Sequence, residues 1–125
     1  MLTDHVQEIA NNINDGIEGE DGFISGFDYL EDALDIEYIV DSNKQYLGAR
    51  ILVAFGGPNI WVNTRTKTVE GYWWGQRAEA SYLYDEIGLD EACEEIWGCQ
   101  LWLILHAASA ARSPMNALSL LYLTW

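Results

Sequence analysis

The sequence contains few basic residues. Six Lys and Arg stand against 20 Asp and Glu in 125 residues, which gives a formal net charge of −14 at pH 7. A chain with this charge repels nucleic acids, anionic membranes and acidic substrates, and it attracts basic surfaces through fast, salt-sensitive association. We therefore expect a positively charged protein partner, with no direct nucleic-acid contact and no membrane contact.

The sequence is also poor in residues that carry out catalysis or hold metals. It has only two Cys and two His. Cys93 and Cys99 lie six residues apart on a predicted helix and point to different faces, which disfavours a local disulfide or a zinc site. His5 and His106 lie at opposite ends of the chain, and neither accompanies a recognisable nucleophile. These absences predict a protein that is not an enzyme and that holds no metal or cofactor.

No leader or membrane-spanning segment is recognisable. Asp4 and Glu8 precede any apolar run, which is unlike the basic start of a secretory signal. The most apolar stretch covers residues 96–111, about 16 residues against the roughly 20 that a spanning helix needs, and Arg112 and Pro114 then interrupt it. Together with the cysteine pattern, these features predict a cytoplasmic protein.

The segment from Ala49 to Gly75 predicts the core of a sheet. Residues 51–55 are apolar on both alternating faces, which is typical of a central strand covered on two sides. Residues 56–58 then reverse the chain, and two further alternating runs follow. We expect burial for apolar residues of these strands and of the last helix, namely Ile51, Val53, Phe55, Ile60, Val62 and Trp97.

Helical patterns precede the sheet. Val6, Ile9 and Ile13 recur at helical spacing after Thr3, a candidate cap, and this predicts a first helix that ends near Gly16. Ser25 and Asp28 have the spacing of a capping box, which predicts a short second helix. Its apolar residues are expected to face inward, and these are Phe27, Leu30 and Leu34.

The remaining patterns complete the fold prediction. Residues 36–41 alternate as a strand, residues 76–88 lack a clear period and are expected to form a loop or short helical turn, and Asp90 can cap a C-terminal helix. The sequence thus predicts an α+β fold with two N-terminal helices, a four-stranded antiparallel meander over about residues 36–74, and a C-terminal helix with an apolar tail.

The apolar tail suggests how the chain is divided. We expect an acidic α+β domain over residues 1–98 and an apolar helical tail over residues 99–125, a stretch with a single charged residue, Arg112. The tail either packs on the same domain or forms a homodimer, because a free apolar segment of this size would aggregate. A late extension of a shorter acidic domain is the third possibility.

The charge is concentrated in the first third of the chain. Residues 1–43 contain 12 carboxylates and no Lys or Arg. Stable surfaces usually intersperse both signs, and crowding of like charges costs stability, so this surplus favours a role in binding over one in solubility alone. The candidate partner-binding residues are the carboxylates of the two predicted helices and the loop between them: Asp4, Glu8, Asp15, Glu18, Glu20, Asp21, Asp28, Glu31, Asp32 and Asp35.

In its size, its acidity and the carboxylates of residues 4–41, the chain resembles the small inhibitors that phages and mobile elements encode against host defence. These include anti-CRISPR proteins and other DNA mimics. The resemblance implies that surface carboxylates stand in for phosphates and occupy the DNA-binding surface of a CRISPR effector in the host cytoplasm. The aromatic hairpins and the apolar tail depart from that pattern.

Three other functions stay open. An immunity or antitoxin protein would use its acidic surface against the active site of a basic toxin. A divalent-metal protein would use Glu18, Glu20 and Asp21, although Ile17 and Gly19 stand where a calcium loop needs its first oxygen ligands. A platform for stacking bases or sugars would use Trp61, Tyr72, Trp73 and Trp74, residues that more often belong to a core.

Overall fold

The computed structural model of the chain describes residues 1–110. These fall into two units, Met1–Glu94 and a second unit that begins at Glu95. Within residues 1–110 the fold is α+β, with three helices, a two-stranded antiparallel sheet and a five-stranded antiparallel sheet. The elements are α1 (Leu2–Asp15), β1 (Glu18–Gly19), β2 (Gly22–Phe23), α2 (Gly26–Glu31), β3 (Asp35–Val40), β4 (Tyr46–Ala54), β5 (Asn59–Asn63), β6 (Thr68–Trp73), β7 (Gln76–Ser81) and α3 (Leu89–Ala110).

The large sheet is a meander of five strands rather than the predicted four. Its order is β3-β4-β5-β6-β7, and each strand pairs antiparallel with the next one along the chain. The fifth strand occupies residues that were expected to form a loop or helical turn. The sequence shows no strong alternation in this strand, because its inward residues are the small Ala78 and Ala80. Arg77 and Glu79 project from the other face.

One row of buried side chains crosses four strands of the sheet. Ile51 pairs with Val62, Val62 with Val69, and Val69 with Ala80, and all four are buried. Burial of an aliphatic side chain of this size contributes roughly 1.5–3 kcal/mol. The inner face of the sheet is therefore the apolar surface on which the first unit is built.

Helix α1 covers the inner face at β6 and β7. It buries Leu2, Val6, Ala10 and Ile13, which recur at helical spacing along one side. Gly71 of β6 allows the close approach, because a Cβ there would lie 2.7 Å from Cγ1 of Val6 and 2.8 Å from Cδ1 of Leu2. The opposite side of α1 is thereby turned to solvent.

The predicted core is confirmed in part. Ile51, Ile60 and Val62 are fully buried. Val53 and Trp97 are half-buried. The prediction for Phe55 was wrong, since its side chain is 72% exposed. Strand β4 ends at Ala54 and its pairing with β5 slips between Leu52 and Ala54, so Phe55 falls in the following turn, beyond the covered surface.

The predictions for α1 and α2 are confirmed in part. Gly16 ends α1 with a φ of 87°, and the capping box of Ser25 and Asp28 is present. Leu30 is buried as expected. Thr3 does not cap α1, because the helix already begins at Leu2. Phe27 and Leu34 were expected to face inward but are 46% and 60% exposed, since α2 has only six residues and Leu34 lies beyond its end.

Helix α3 begins at Leu89, so Asp90 lies inside its first turn rather than capping it. The cap is the Asp85 carboxylate, which accepts hydrogen bonds from the backbone N–H groups of Gly88 (3.0 Å), Leu89 (2.9 Å) and Asp90 (2.9 Å). The first four N–H groups of a helix have no partner within it, and here the Asp85 side chain accepts two of them, those of Leu89 and Asp90. Ala92 and Cys93 are buried in the following turn.

The second unit contains the later part of α3. Trp102, Leu103, Ile104 and Leu105 are each more than half exposed there. None of the helices in the described part of the chain is long and apolar enough to cross a bilayer. The predicted packing or dimerisation concerns the tail over residues 99–125, of which residues 111–125 lie outside the described residues.

Candidate partner-binding surface

Helix α1 presents three of the predicted carboxylates on its solvent side. Asp4, Glu8 and Asp15 are exposed. At about 100° per residue they fall opposite the stripe that packs on the sheet, and they extend over about 16 Å of the helix axis at 1.5 Å per residue. The apolar spacing that docks α1 thus also determines where its charges point.

The loop after α1 is a small hairpin that displays three further carboxylates. Glu18 and Gly19 pair with Phe23 and Gly22, which places Glu20 and Asp21 at the tip. All three carboxylate residues are exposed. The sequence predicts a loop between two helices here, and the two short strands fix that loop directly beyond the end of α1.

The four remaining candidates belong to α2 and the start of β3. Glu31 and Asp32 are exposed at the end of α2. Asp28 is exposed but has a structural role, because its carboxylate accepts the backbone N–H of Ser25 at 3.0 Å in the capping box. Asp35 accepts the N–H of Ile36 at 2.9 Å. Glu31 and Asp32 are therefore the residues of this group best suited to test binding without disturbing the fold.

Long-range contacts bring the end of α1 to the segment that precedes α3. The N–H of Glu86 donates to the carbonyl of Ile13 at 3.1 Å. The Asn14 side-chain oxygen accepts the N–H groups of Leu83 and Tyr84, each at 3.0 Å. The start of α2 lies against the same segment, since a Cβ on Gly26 would collide with the Gly88 carbonyl. These contacts bring residues 83–88 to the C-terminal end of α1 and the start of α2 to the same segment.

A further group of carboxylates, none of them among the ten candidates, lies where residues 85–91 meet the other elements. An open depression of about 460 Å³ is lined by Asp85, Glu86, Asp90 and Glu91, together with Thr64, Lys67, Tyr82, Ile87 and Gly88. Asp85 caps α3, and Asp90 accepts the Tyr46 hydroxyl at 2.8 Å, so both have structural partners. Glu86 extends the surface formed by the ten candidate carboxylates, which we name the acidic surface. Residues 76–88 lack a clear hydrophobic period, so only the fold could bring Glu86 to the end of α1.

The outer face of the large sheet has a different character. Arg50 lies 4.3 Å over the Trp61 ring and forms a 2.7 Å ion pair with Glu37. Arg77 forms a 2.9 Å ion pair with Glu79. Both guanidinium groups therefore pair with carboxylates outside the ten candidates. This face mixes the two signs of charge, in contrast to the surface formed by the first 35 residues.

No three His, Cys, Asp or Glu side chains within residues 1–110 converge in a way that could hold a metal ion, and this includes Glu18, Glu20 and Asp21. Burial, followed by the nearby charges of Asp90 and Asp85, raises the pKa of the Cys93 thiol to about 12, so it remains protonated at neutral pH and is a poor nucleophile.

No protein-family model, curated protein or solved structure matches this chain.

Proposed function

We propose that this protein inhibits a basic nucleic-acid-binding protein of host defence, such as a CRISPR effector, by covering its DNA-binding surface with carboxylates. One observation carries the proposal: all ten candidate carboxylates are exposed. The guanidinium groups of Arg50 and Arg77 pair with Glu37 and Glu79, which lie outside this set. One of the ten, Asp4, lies 3.5 Å from the amino group of Met1, and both groups are at least 90% exposed. Exposed ion pairs of this kind are worth little, so the ten carboxylates keep a large net negative charge that is available to a partner.

The spacing of these charges suits a surface that binds a nucleic-acid backbone. Asp4 and Glu8 lie about 6 Å apart along the axis of α1. Each strand of duplex DNA carries one negative charge about every 3.4 Å along the helix axis. A basic groove that neutralises phosphates can therefore meet a comparable row of carboxylates. Binding of this kind is fast and weakens steeply as salt rises.

The test uses purified guide-loaded CRISPR effectors and measures how much of this protein is needed to prevent target-DNA binding and cleavage. One variant neutralises α1 with Asp4→Asn, Glu8→Gln and Asp15→Asn. A second neutralises the hairpin with Glu18→Gln, Glu20→Gln and Asp21→Asn. A matched control removes three charges elsewhere with Glu79→Gln, Glu94→Gln and Glu95→Gln. Asp28 is left intact because of its role in the capping box.

We expect each acidic triple to weaken inhibition by about tenfold, since exposed charge contacts are worth roughly 0.2–1 kcal/mol each. The combined six-site variant should not inhibit, and the control should lose less than either triple. Excess DNA should displace the protein from the effector. A six-site variant that retains the native circular dichroism spectrum and still inhibits every effector tested as the wild type does would overturn the proposal.

A further inference from the structure

Exposed aromatic side chains gather at one end of the large sheet. The turn over residues 55–58 joins β4 to β5, and the turn at Trp74 and Gly75 joins β6 to β7. Because Asn59 pairs with Tyr72, the two turns lie at the same end. The exposed fractions are 72% for Phe55 and 88% for Trp74, and the neighbouring Tyr72 and Trp73 are more than a third exposed. We name these four residues the aromatic edge.

Trp74 occupies a backbone position that does not suit it. Trp73 pairs with Gln76, so Trp74 and Gly75 form a two-residue turn, and both have positive φ, 52° and 76°. Hairpin turns of this kind favour Asn followed by Gly, and a bulky residue with positive φ is a genuine outlier. With its ring almost fully exposed, Trp74 adds little to the core. Asn at position 74 would therefore fit the backbone conformation of this turn better than Trp does.

The N-terminal end of α1 lies toward the same end of the sheet. Leu2 and Val6 pack on Gly71, two residues before Trp73, and Asp4 is exposed on the outward side of the same turn of α1. A partner that contacts the aromatic edge would therefore also come near the carboxylates of α1. The rings attract cations across their faces, and Trp is the strongest in this respect. A planar guanidinium can stack on a ring while it donates hydrogen bonds to a carboxylate, which an ammonium group does less well.

The chain already contains this arrangement within itself. The Arg50 guanidinium lies 4.3 Å over Trp61 and donates to Glu37 at 2.7 Å. On the same face Arg77 lies 6.0 Å over Tyr72 and donates to Glu79. An aromatic ring beside a carboxylate therefore holds arginine twice on this sheet. Tyr72 of the aromatic edge is thus engaged by the chain's own Arg77, whereas Phe55 and Trp74 are largely exposed. The rings of Phe55 and Trp74 can therefore receive a guanidinium from another molecule.

Resting on the function proposed above, we infer that the aromatic edge anchors the partner protein by receiving its arginine side chains. The surface then recognises an arginine-rich protein rather than any cationic one. The acidic surface supplies long-range attraction, and Trp74 with Phe55 supplies contacts that depend on the guanidinium group. Trp, Tyr and Arg side chains commonly carry a large share of the binding energy of an interface, which fits this division.

The test measures binding of the full chain to two peptides of equal charge, octa-arginine and octa-lysine, by titration calorimetry at low salt. The informative variant is Trp74→Asn, which should raise the melting temperature because Asn-Gly suits the turn. Phe55→Ala is a second variant. Tyr84→Ala is the control, since this exposed aromatic residue lies at the far end of α1, beside Asn14.

We expect Trp74→Asn to weaken octa-arginine binding by about two- to fivefold, the effect of an exposed cation–π contact, and to leave octa-lysine binding unchanged. The control Tyr84→Ala should bind both peptides as the wild type does. Equal binding of octa-arginine by the wild type and Trp74→Asn would overturn the inference, as would an equal loss for both peptides. Transfer of Trp74 into phosphatidylcholine vesicles, seen as a blue shift of its fluorescence, would also overturn it.

The failure of this inference is distinct from the failure of the proposed function. If the six-site acidic variant loses both peptides and its inhibition while Trp74→Asn binds normally, only the aromatic anchor is wrong. If the six-site variant keeps its inhibition, the proposed function is wrong whatever Trp74 does.

Discussion

Ile51 and Phe55 lie four residues apart but in different surroundings. Ile51 is fully buried in the row that crosses the sheet, whereas Phe55 is 72% exposed in a turn. Removing the Ile51 side chain leaves a cavity, so Ile51→Ala should reduce the free energy of unfolding by about 2–5 kcal/mol. Phe55→Ala should reduce it by less than about 1 kcal/mol, because a surface substitution leaves no cavity. Urea unfolding followed by circular dichroism measures both.

The comparison of these two variants tests the position of the strand end. A loss above about 3 kcal/mol for Phe55→Ala would mean that the strand continues past Ala54 and buries the ring. Alternation of apolar residues cannot reveal this boundary, because residues 51–55 are apolar at every position. The end is set by the slip in pairing between β4 and β5, which is a property of two strands together.

The two cysteines should differ sharply in reactivity. Cys93 is buried, and its thiol pKa is raised to about 12 chiefly by burial, while Cys99 is exposed. Thiolate is the reactive form, so at pH 8 only Cys99 should be alkylated rapidly by iodoacetamide. Both cysteines lie in the tryptic peptide of residues 78–112, so tandem mass spectrometry of that peptide after a short exposure identifies the labelled residue, and labelling in urea provides the control. Rapid labelling of Cys93 in the native protein would contradict its burial.

At the scale of elements, the start of α3 depends on one carboxylate. Asp85 accepts three backbone N–H groups at that start. Replacing a capping carboxylate typically costs 0.5–2 kcal/mol, and three bonds to a charged group favour the upper end, so Asp85→Ala should destabilise the first unit by about 2 kcal/mol. The neighbouring Glu86→Ala removes an exposed carboxylate and serves as the control. Equal thermal unfolding of the two variants would show that the cap contributes nothing.

The elements that the sequence could predict are those with strong local signals. The apolar stripe of α1, the Gly16 end and the capping box of α2 each depend on residues within a few positions of one another. Strand β7 and the Asp85 cap could not be predicted in this way. In β7 the inward residues are Ala, which contrast weakly with their neighbours, and the cap lies four residues before the helix it serves.

At the scale of the whole molecule, buried hydroxyl and thiol groups should make the free energy of unfolding fall as the pH becomes alkaline. Burial raises the pKa of Tyr29 and of Cys93 to about 12 and raises that of Tyr82 further. The folded state thus binds these protons more tightly than the unfolded state, where the values are about 10 and 8.5. Their contribution is complete below pH 8.5 and is lost as pH rises towards 12.

The expected outcome is a free energy of unfolding that declines steadily between pH 9 and pH 11, measured by urea titration at constant ionic strength. Cys93→Ala removes one of the titrating groups and should flatten the early part of this decline. A flat profile over that range would mean that Tyr29 and Cys93 are solvated in the folded protein.

The candidate surface was predictable as a set of exposed side chains but not as an arrangement. Charge and helical period were sufficient to place Asp4, Glu8 and Asp15 on the solvent side of α1. The approach of Glu86 to the end of that helix depends on a hydrogen bond between residues 73 positions apart, from the Glu86 N–H to the Ile13 carbonyl. A local pattern in one sequence carries no signal for such a contact.

The packing of α1 on β6 and β7 has a consequence for how the chain is made. The meander pairs each strand with the one before it, so the sheet can grow as the strands leave the ribosome, and contacts between near neighbours form quickly. Helix α1 is synthesised first, yet the surface on which it docks is finished only after Ser81 has emerged. A nascent chain shorter than this carries its carboxylates on an undocked helix, and the acidic surface takes its final arrangement late in synthesis.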